Sequence, residues 1–260
     1  MISAMTSSAT DDVTVVFLDA NILAKPVTRT ILMVGGMPSG FQPVWSLAAE
    51  TEAARHMRPR ALSPTLVRER FGLPLAPTGL TAERYLGTRT ADRQILADAV
   101  AADADFLVTE DVDDYGLADL TRAGVAAVNP DLFLAVRLTR DAYEMAIALF
   151  VERQVRPPTT PAQFHAAIAR QHPRLFAAHA NLYAIEPDDR IHQEPAVVFR
   201  GGRCLRCEVI ADPATILDGL GRSVVDRRHA DAVVIARRRP AASRAANSST
   251  ARMSSCTISS

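Results

Sequence analysis

The sequence has little of what secreted, membrane-embedded or disulfide-stabilised proteins need. Its three cysteines, Cys204, Cys207 and Cys256, are too few and too late in the chain for a disulfide framework. No apolar run is long enough to cross a membrane. The first twelve residues have neither the basic segment nor the apolar segment of a signal peptide. These absences predict a cytoplasmic protein without a membrane partner.

Net charge and lysine are also nearly absent. The 29 basic and 29 acidic residues balance, so the overall charge does not indicate a nucleic-acid partner. Lys25 is the only lysine, and almost all positive charge is therefore carried by arginine, the residue suited to bidentate contacts with phosphate. Because arginine and alanine also rise together in GC-rich coding sequence, which we favour as the explanation, the arginines alone assign no function.

Length and composition favour one domain with appendages. A chain of 260 residues is long for one small domain and short for two full ones, and its hydrophobic content of 48% is enough for a core. We expect a core domain, a helical extension, a hairpin-and-helix appendage and a tail, over 13–150, 151–190, 191–236 and 237–260. The appendage contains a predicted hairpin over 195–210 that turns at Gly201-Gly202. The tail is poor in bulky apolar residues and is expected to be disordered.

Two apolar stretches of the core domain each end in acidic residues. Residues 13–21, VTVVFLDAN, predict a strand buried on both faces, as in a parallel sheet, with Asp19 at its carboxyl end. Residues 105–114, DFLVTEDVDD, repeat this design and bring Asp111. Open α/β sheets bind ligands at the carboxyl ends of their strands. Two strands that deliver carboxylates to one edge predict a divalent-metal site.

Helices are expected to connect the strands. One helix should begin at Ala20 and continue to Val34, where Gly35-Gly36 would end it. A short strand over 41–45 follows, and Ser46 is a plausible N-cap of the next helix. Further along, a β-branched or loop segment should open 132–153 before a helix begins near Asp141. Thr160 should cap a helix from Pro161 to Tyr183, which Pro173 divides into two.

Three more acids lie on predicted helices. Glu50 and Glu52 are two residues apart and therefore lie on different faces of their helix, so only one of them can point into a site shared with Asp19. The sequence leaves that choice open. Asp92 begins the helix that leads into the second acid-bearing strand, a position where the helix dipole stabilises an acid even without a function.

Asp19, Glu52, Asp92 and Asp111 form the candidate ligand set, with Asp114 as a fifth acid. Each of these acids, considered alone, is most simply interpreted as a surface residue or a helix cap. Taken together they would repel one another unless a cation were present. Clustered carboxylate oxygens are the ligands that Mg²⁺ and Mn²⁺ prefer.

The same residues carry a family resemblance. The motifs are FLDANIL at 17–23, the spacing from Trp45-Ser46 to Glu52, ADRQILADAVAADADFLVT at 91–109 and EDVDDY at 110–115. With these motifs the chain resembles PIN-domain ribonucleases, of the kind found as VapC-type toxins in bacterial toxin–antitoxin pairs. The resemblance covers about 13–150, and 157–183 also resemble the C-terminal extension of one PIN subgroup.

The resemblance implies a fold and a site. The fold is α/β, a three-layer α/β/α sandwich with a mainly parallel central sheet and a C-terminal helical extension. By position, the four acids that bind metal and support catalysis are Asp19, Glu52, Asp92 and Asp111. Asn21 and Thr109 match polar positions that line the family's site, and Asp114 falls where the subgroup often has a further acid before an aromatic residue.

The resemblance also implies an activity and partners. The activity is Mg²⁺- or Mn²⁺-dependent hydrolysis of phosphodiester bonds in single-stranded or loop RNA, leaving a 5′-phosphate. A toxin of this kind would need a cognate antitoxin protein, and PIN domains often form homodimers.

Two other classes of function compete with this interpretation. One is a non-catalytic PIN-like scaffold that binds RNA or protein, against which the complete acid set argues. The other is a phosphatase-type hydrolase with Asp19 as nucleophile. Such enzymes typically need a second acid two residues after the nucleophile, where this chain has Asn21.

Overall fold

A mostly parallel sheet of five strands forms the centre of the computed structural model, which describes residues 13–58, 61–154, 157–183 and 199–200. The strands are β1 (Thr14–Leu18), β2 (Phe41–Val44), β3 (Phe106–Val108), β4 (Ala126–Val128) and β5 (Phe199–Arg200). Their order across the sheet is β2-β1-β3-β4-β5. The first four strands are parallel and β5 is antiparallel to β4. The predicted α/β class with a mainly parallel sheet is confirmed.

Ten α-helices lie in the described part of the chain. They are α1 (Ala20–Leu23), α2 (Pro26–Gly36), α3 (Leu47–His56), α4 (Pro64–Phe71), α5 (Arg93–Ala101), α6 (Leu117–Ala123), α7 (Pro130–Arg137), α8 (Arg140–Arg153), α9 (Pro161–Ile168) and α10 (Pro173–Ala178). Every residue of β3 and β4 is buried. Both faces of these strands are therefore covered, as is typical of parallel sheets with crossover helices. None of the described helices is both long and apolar enough to span a membrane.

The two acid-bearing strands are neighbours in the sheet. β1 and β3 are parallel, and Leu18 at the end of β1 is in register with Val108 at the end of β3. The backbone N–H of Asp19 donates to the Val108 carbonyl at 3.1 Å. The residues that follow each strand therefore emerge side by side at the same edge of the sheet, which we call the carboxyl edge.

The predicted single helix from Ala20 to Val34 is wrong. Lys25 is extended and Pro26 begins a second helix, so the segment forms α1 and α2. The predicted stop at Gly35-Gly36 is confirmed within two residues, since both glycines belong to α2 and the helix ends at Gly36. A Cβ at Gly35 would lie 2.2 Å from Leu138 Cδ1, so this glycine permits close packing of α2 against the chain after α7.

The expected β-branched or loop segment at the start of 132–153 is also wrong. Asn129 caps α7 by accepting from the Asp131 N–H, and Pro130 occupies its first turn. These are the ordinary signals of a helix start. The next helix, α8, runs to Arg153 and crosses the boundary expected at 150 without a break. Only 199–200 of the predicted hairpin over 195–210 belong to the described residues, and the rest of 191–236 and all of 237–260 lie outside them.

The extension after residue 150 contains the two short helices that the prolines predicted. Thr160 caps α9 and forms a capping box with Gln163. The turn between α9 and α10 packs against α2, since His172 Nε2 lies 2.9 Å from the hydroxyl of buried Thr28. The Leu175 N–H at the start of α10 donates to Asp131 on α7. The extension is therefore bound to the core by buried polar contacts.

Buried histidines make the fold sensitive to acid. Burial, with a smaller contribution from the charge of Lys25, lowers the pKa of His172 to about 4. The unfolded chain, in which histidine has a pKa near 6.5, then binds more protons than the folded chain between these values, and stability falls as the pH drops below 6.5. We expect His172 to reduce the free energy of unfolding by about 2 kcal/mol between about pH 7.5 and pH 5.

Urea unfolding of the wild type and of His172→Gln at these two pH values measures this effect. Glutamine can keep a hydrogen bond to Thr28 but does not titrate, so the variant should lose less stability in acid than the wild type. His56→Gln, which changes an exposed histidine, is the control and should keep the wild-type dependence. An equal acid loss in His172→Gln and wild type would contradict the prediction.

Candidate active site

A cleft of about 1010 Å³ opens at the carboxyl edge of the sheet. The acidic residues that line it are Asp19, Glu52, Asp92, Asp111 and Asp114. They come from the end of β1, the middle of α3, the turn before α5 and the segment after β3. All five predicted acids therefore lie around one space, although they are up to 95 residues apart in sequence.

Asp19 is the buried member of this set and is held by donors on both oxygens. It directly follows β1 and caps α1, with Oδ1 accepting from the Ala20 N–H at 2.6 Å. Oδ2 accepts from the Thr109 hydroxyl at 2.6 Å and from the Tyr115 hydroxyl at 3.2 Å. Burial raises the pKa of Asp19 to about 6, and the charge of Glu52 acts in the same direction, although these hydrogen bonds lower it.

Asn21 and Thr109 connect Asp19 to Asp111. The side-chain nitrogen of Asn21 lies 3.2 Å from Asp19 Oδ2 and 3.0 Å from Asp111 Oδ2, so one amide group bridges the two acids. The Thr109 oxygen also accepts from the Asp111 N–H at 3.1 Å. Both residues lie in the site, where the family resemblance placed them.

The structure places Glu52 in the cleft and gives Glu50 a different role. Glu50 is buried against the fold, where it accepts from Trp45 Nε1 at 2.9 Å, from Arg68 Nε at 3.1 Å and from the Thr65 hydroxyl. Burial alone would raise the pKa of Glu50, but these hydrogen bonds and the charge of Arg68 hold it below its usual value. Glu50 thus ties α3 to α4, and Glu52 lines the cleft.

Asp92 lies near other acids, and only the charge of Arg89 opposes theirs among the influences on its pKa. It ends the short 3₁₀ turn Thr90–Asp92, and its side chain makes no capping hydrogen bond to α5. Burial raises the pKa of Asp92 to about 7, and the charges of Asp19, Asp114 and Glu52 add to this effect while that of Arg89 opposes it. At neutral pH the carboxylates of this cleft therefore repel one another.

Two backbone segments bring Asp92 close to the acids after β3. Gly87 and Gly116 are in direct contact, because a Cβ at Gly116 would lie 2.5 Å from the Gly87 carbonyl carbon. The Arg89 N–H donates to the Asp114 carbonyl at 2.8 Å. The segment before α5 and the segment after β3 therefore pack against each other without intervening side chains.

Several other residues of the site were not predicted from the sequence. Lys25, His56, Arg89 and Gln171 also line the cleft. Gln171 belongs to the turn between α9 and α10, so the extension contributes to the cleft wall. Tyr115, singled out only as the aromatic residue after Asp114, donates to Asp19. Burial and the charges of Asp19 and Asp92 raise the pKa of its phenol well above the usual value, so it stays a donor at neutral pH.

The donor set fits a hard divalent cation in its chemistry. Carboxylate oxygens from separate elements face one cleft, and their mutual repulsion would be relieved by such an ion. Within the described ranges, however, no group of three or more His, Cys, Asp or Glu side chains is close enough together to hold an ion. The exposed Asp111 and the half-buried Glu52 and Asp92 would therefore have to turn toward a common point.

Comparison with known proteins adds no relative: no family model, no curated protein and no solved structure matches the chain. The chemistry of the cleft residues therefore carries the functional interpretation.

The two glutamates of α3 should respond differently to truncation. Glu50→Ala removes the partner of buried Trp45 and Arg68 and should lower the free energy of unfolding by about 3 kcal/mol, as expected when a buried ion pair is broken. Glu52→Ala removes one of several repelling carboxylates and should change stability by less than about 0.5 kcal/mol or raise it.

Urea unfolding of the three proteins at neutral pH, without metal, tests this difference. Glu69→Ala, on α4 and outside the cleft, is a surface control. A stability loss from Glu52→Ala as large as that from Glu50→Ala would contradict the assignment of Glu50 to the fold and Glu52 to the cleft.

Proposed function

We propose that the protein is a metal-dependent endoribonuclease with a PIN-like, three-layer α/β/α architecture. The observation that supports the proposal most is the meeting of five carboxylates from four separate elements in one cleft at the carboxyl edge of a parallel sheet. Acids needed only for stability are commonly paired with cations, as Glu50 is with Arg68. Asp19 and Asp92 instead have pKa values raised by burial and by acidic neighbours, which is typical of functional sites.

Asp19, Glu52, Asp92 and Asp111 are the residues that would hold Mg²⁺ or Mn²⁺. A bound ion of this kind lowers the pKa of a water molecule and neutralises charge on the scissile phosphate. The overall reaction adds water across a phosphodiester bond of RNA. A water oxygen bonds to phosphorus, the bond to the 3′ oxygen breaks, and the products are a 5′-phosphate and a 3′-hydroxyl.

The remaining residues of the network orient the acids. Thr109, Tyr115 and the Ala20 N–H fix both oxygens of Asp19, and Asn21 sets Asp111 relative to Asp19. Hydrogen-bond partners of this kind commonly determine how well carboxylate ligands bind a metal. We propose that these four residues preorganise the floor of the cleft, while Glu52 and Asp92 adjust to the ion.

The biological setting that the proposal implies is a bacterial toxin–antitoxin pair. Residues 17–23 and 91–115 carry the resemblance to VapC-type toxins. In that setting the substrate is single-stranded or loop RNA in the cytoplasm, and a cognate antitoxin protein restrains the nuclease. The antitoxin partner and a homodimer are therefore parts of this proposal, as the ribonuclease activity is.

A PIN-like scaffold that binds RNA or protein without cutting is the second candidate. It is favoured by one observation, that the acids of the described residues do not converge into a ready ion site. The two candidates make different predictions for Asp19, because a scaffold has no need of a carboxylate at this buried position.

The proposal predicts metal-dependent RNA cleavage that requires Asp19. With Mn²⁺ or Mg²⁺ the wild type should cut a mixed set of structured and unstructured RNAs, and EDTA should abolish cutting. Asp19→Asn should lower the rate by more than about 100-fold, since even the outer partners of metal ligands are worth 10- to 100-fold. Asparagine preserves the size of the side chain, so the fold should remain intact.

Asp141→Asn is the matched control, because it removes an exposed acid of α8 that does not line the cleft. It should cut at the wild-type rate. Calorimetric titration with Mn²⁺ separates the remaining outcomes. Ion binding that Asp19→Asn weakens supports the metal site, whereas no cutting and no ion binding would favour the scaffold. Full metal-dependent cutting by Asp19→Asn, in a preparation free of host nuclease, would refute the site.

A further inference from the structure

Arg89 lies where the two acid-bearing segments of the cleft meet. Its backbone N–H donates to the Asp114 carbonyl at 2.8 Å, and its guanidinium Nη1 donates to Asp114 Oδ2 at 2.9 Å. Asp92 follows three residues later, and all three side chains line the cleft. A guanidinium is therefore held at the rim of a space whose floor is acidic.

The Arg89 side chain has unused capacity to bind. It is 69% exposed, and its contact with Asp114 is its one side-chain hydrogen bond among the residues that the structure describes. Arginine has five N–H donors in a planar arrangement that matches a phosphate group. Exposed ion pairs add little to stability, so exchanging the Asp114 carboxylate for another anion would cost the fold little.

Two other arginines near the cleft, Arg29 and Arg93, serve the fold instead. Arg29 is buried and donates to the carbonyls of Leu23 and Leu62. Arg93, one turn after Arg89, donates to the carbonyls of Thr88 and Leu86. The guanidinium groups of Arg29 and Arg93 are bound to backbone carbonyls that they stabilise. The guanidinium of Arg89 contacts only the Asp114 carboxylate among the described residues, and that side chain could turn away.

We propose that Arg89 binds a phosphate of the RNA backbone, and that Asp114 holds its guanidinium at the rim of the cleft until the RNA arrives. This inference rests on the proposed ribonuclease function and identifies a residue that binds substrate. When the phosphate replaces Asp114 as the partner of Arg89, the Asp114 carboxylate is released toward the acidic floor. Arg89 thereby places a cation beside an acidic floor that would otherwise repel the RNA.

The inference predicts a change in the salt dependence of RNA binding. Full-length protein carrying Asp19→Asn, so that RNA is not cut, is titrated with a fluorescent single-stranded RNA in Mg²⁺ at about 50 to 200 mM KCl. Each phosphate contact on a single strand adds about −0.7 to the slope of log K against log salt. Adding Arg89→Gln should make the slope shallower by about 0.7 and weaken binding severalfold at low salt.

Two further variants test whether the effect belongs to the guanidinium at this site. Arg140→Gln removes an arginine of similar exposure, paired with Glu144 at 3.1 Å on α8 and outside the cleft, and should leave slope and affinity unchanged. Arg89→Lys keeps the charge without the planar donors, so it should retain the slope and bind less tightly than arginine. In the cutting enzyme, Arg89→Gln should raise KM more than it lowers kcat.

The failure of this inference and that of the proposed function give different results. If the Asp19→Asn protein binds RNA and Arg89→Gln changes neither slope nor affinity, Arg89 is not a phosphate contact and the nuclease proposal stands. If the wild type neither binds nor cuts RNA, both proposals are overturned. Thermal melts of each variant show whether it is folded. We expect the Arg89 variants to fold, because the backbone hydrogen bond between residues 89 and 114 does not depend on the side chain.

Discussion

Repulsion among carboxylates at one edge of the sheet is the constraint on which the arrangement of this protein depends. The parallel pairing of β1 with β3 delivers Asp19 and Asp111 to that edge, and α3 adds Glu52. Burial of the strands, not attraction between the acids, keeps these groups together. Burial first, and the charges of neighbouring acids in addition, raises the pKa values of Asp19 and Asp92. A positive charge nearby offsets part of this effect, as that of Arg89 does at Asp92.

The protein treats its structural acids differently from its cleft acids. Glu50 is satisfied by Trp45, Thr65 and Arg68, and Asp131 accepts backbone N–H groups from the start of α10. Of the cleft acids, Asp19 and Asp111 are linked by neutral donors, Asp92 faces other acids, and Asp114 pairs with the exposed Arg89. Glu50 and Asp19 expose the same small fraction of their surface. Hydrogen bonds and the charge of Arg68 outweigh burial at Glu50 and lower its pKa, whereas at Asp19 burial outweighs the neutral donors and raises the pKa.

Local sequence patterns predicted those features that depend on near neighbours along the chain. The apolar run before Asp19, the cap at Ser46 and the division at Pro173 each follow from a few adjacent residues, and the structure has them. The choice between Glu50 and Glu52 required knowledge of α4, which supplies Arg68. Proline is favoured in the first turn of a helix, and Pro26 begins α2 for this reason. The continuous apolar pattern of 20–34 concealed this signal. The contact of Arg89 could not be predicted from neighbouring residues, because its partner Asp114 is 25 residues away along the chain.

The contact between Gly87 and Gly116 has a consequence for how this cleft could change. Since the two backbones touch, the distance between the segment of Asp92 and that of Asp114 is independent of side-chain size. A methyl group at Gly116 would lie 2.5 Å from the Gly87 carbonyl carbon and would force the two segments apart, whereas one at Gly87 would meet the Asp119 carboxylate first, at 3.2 Å. The spacing between the two segments would therefore be altered at Gly116, leaving every carboxylate of the cleft unchanged.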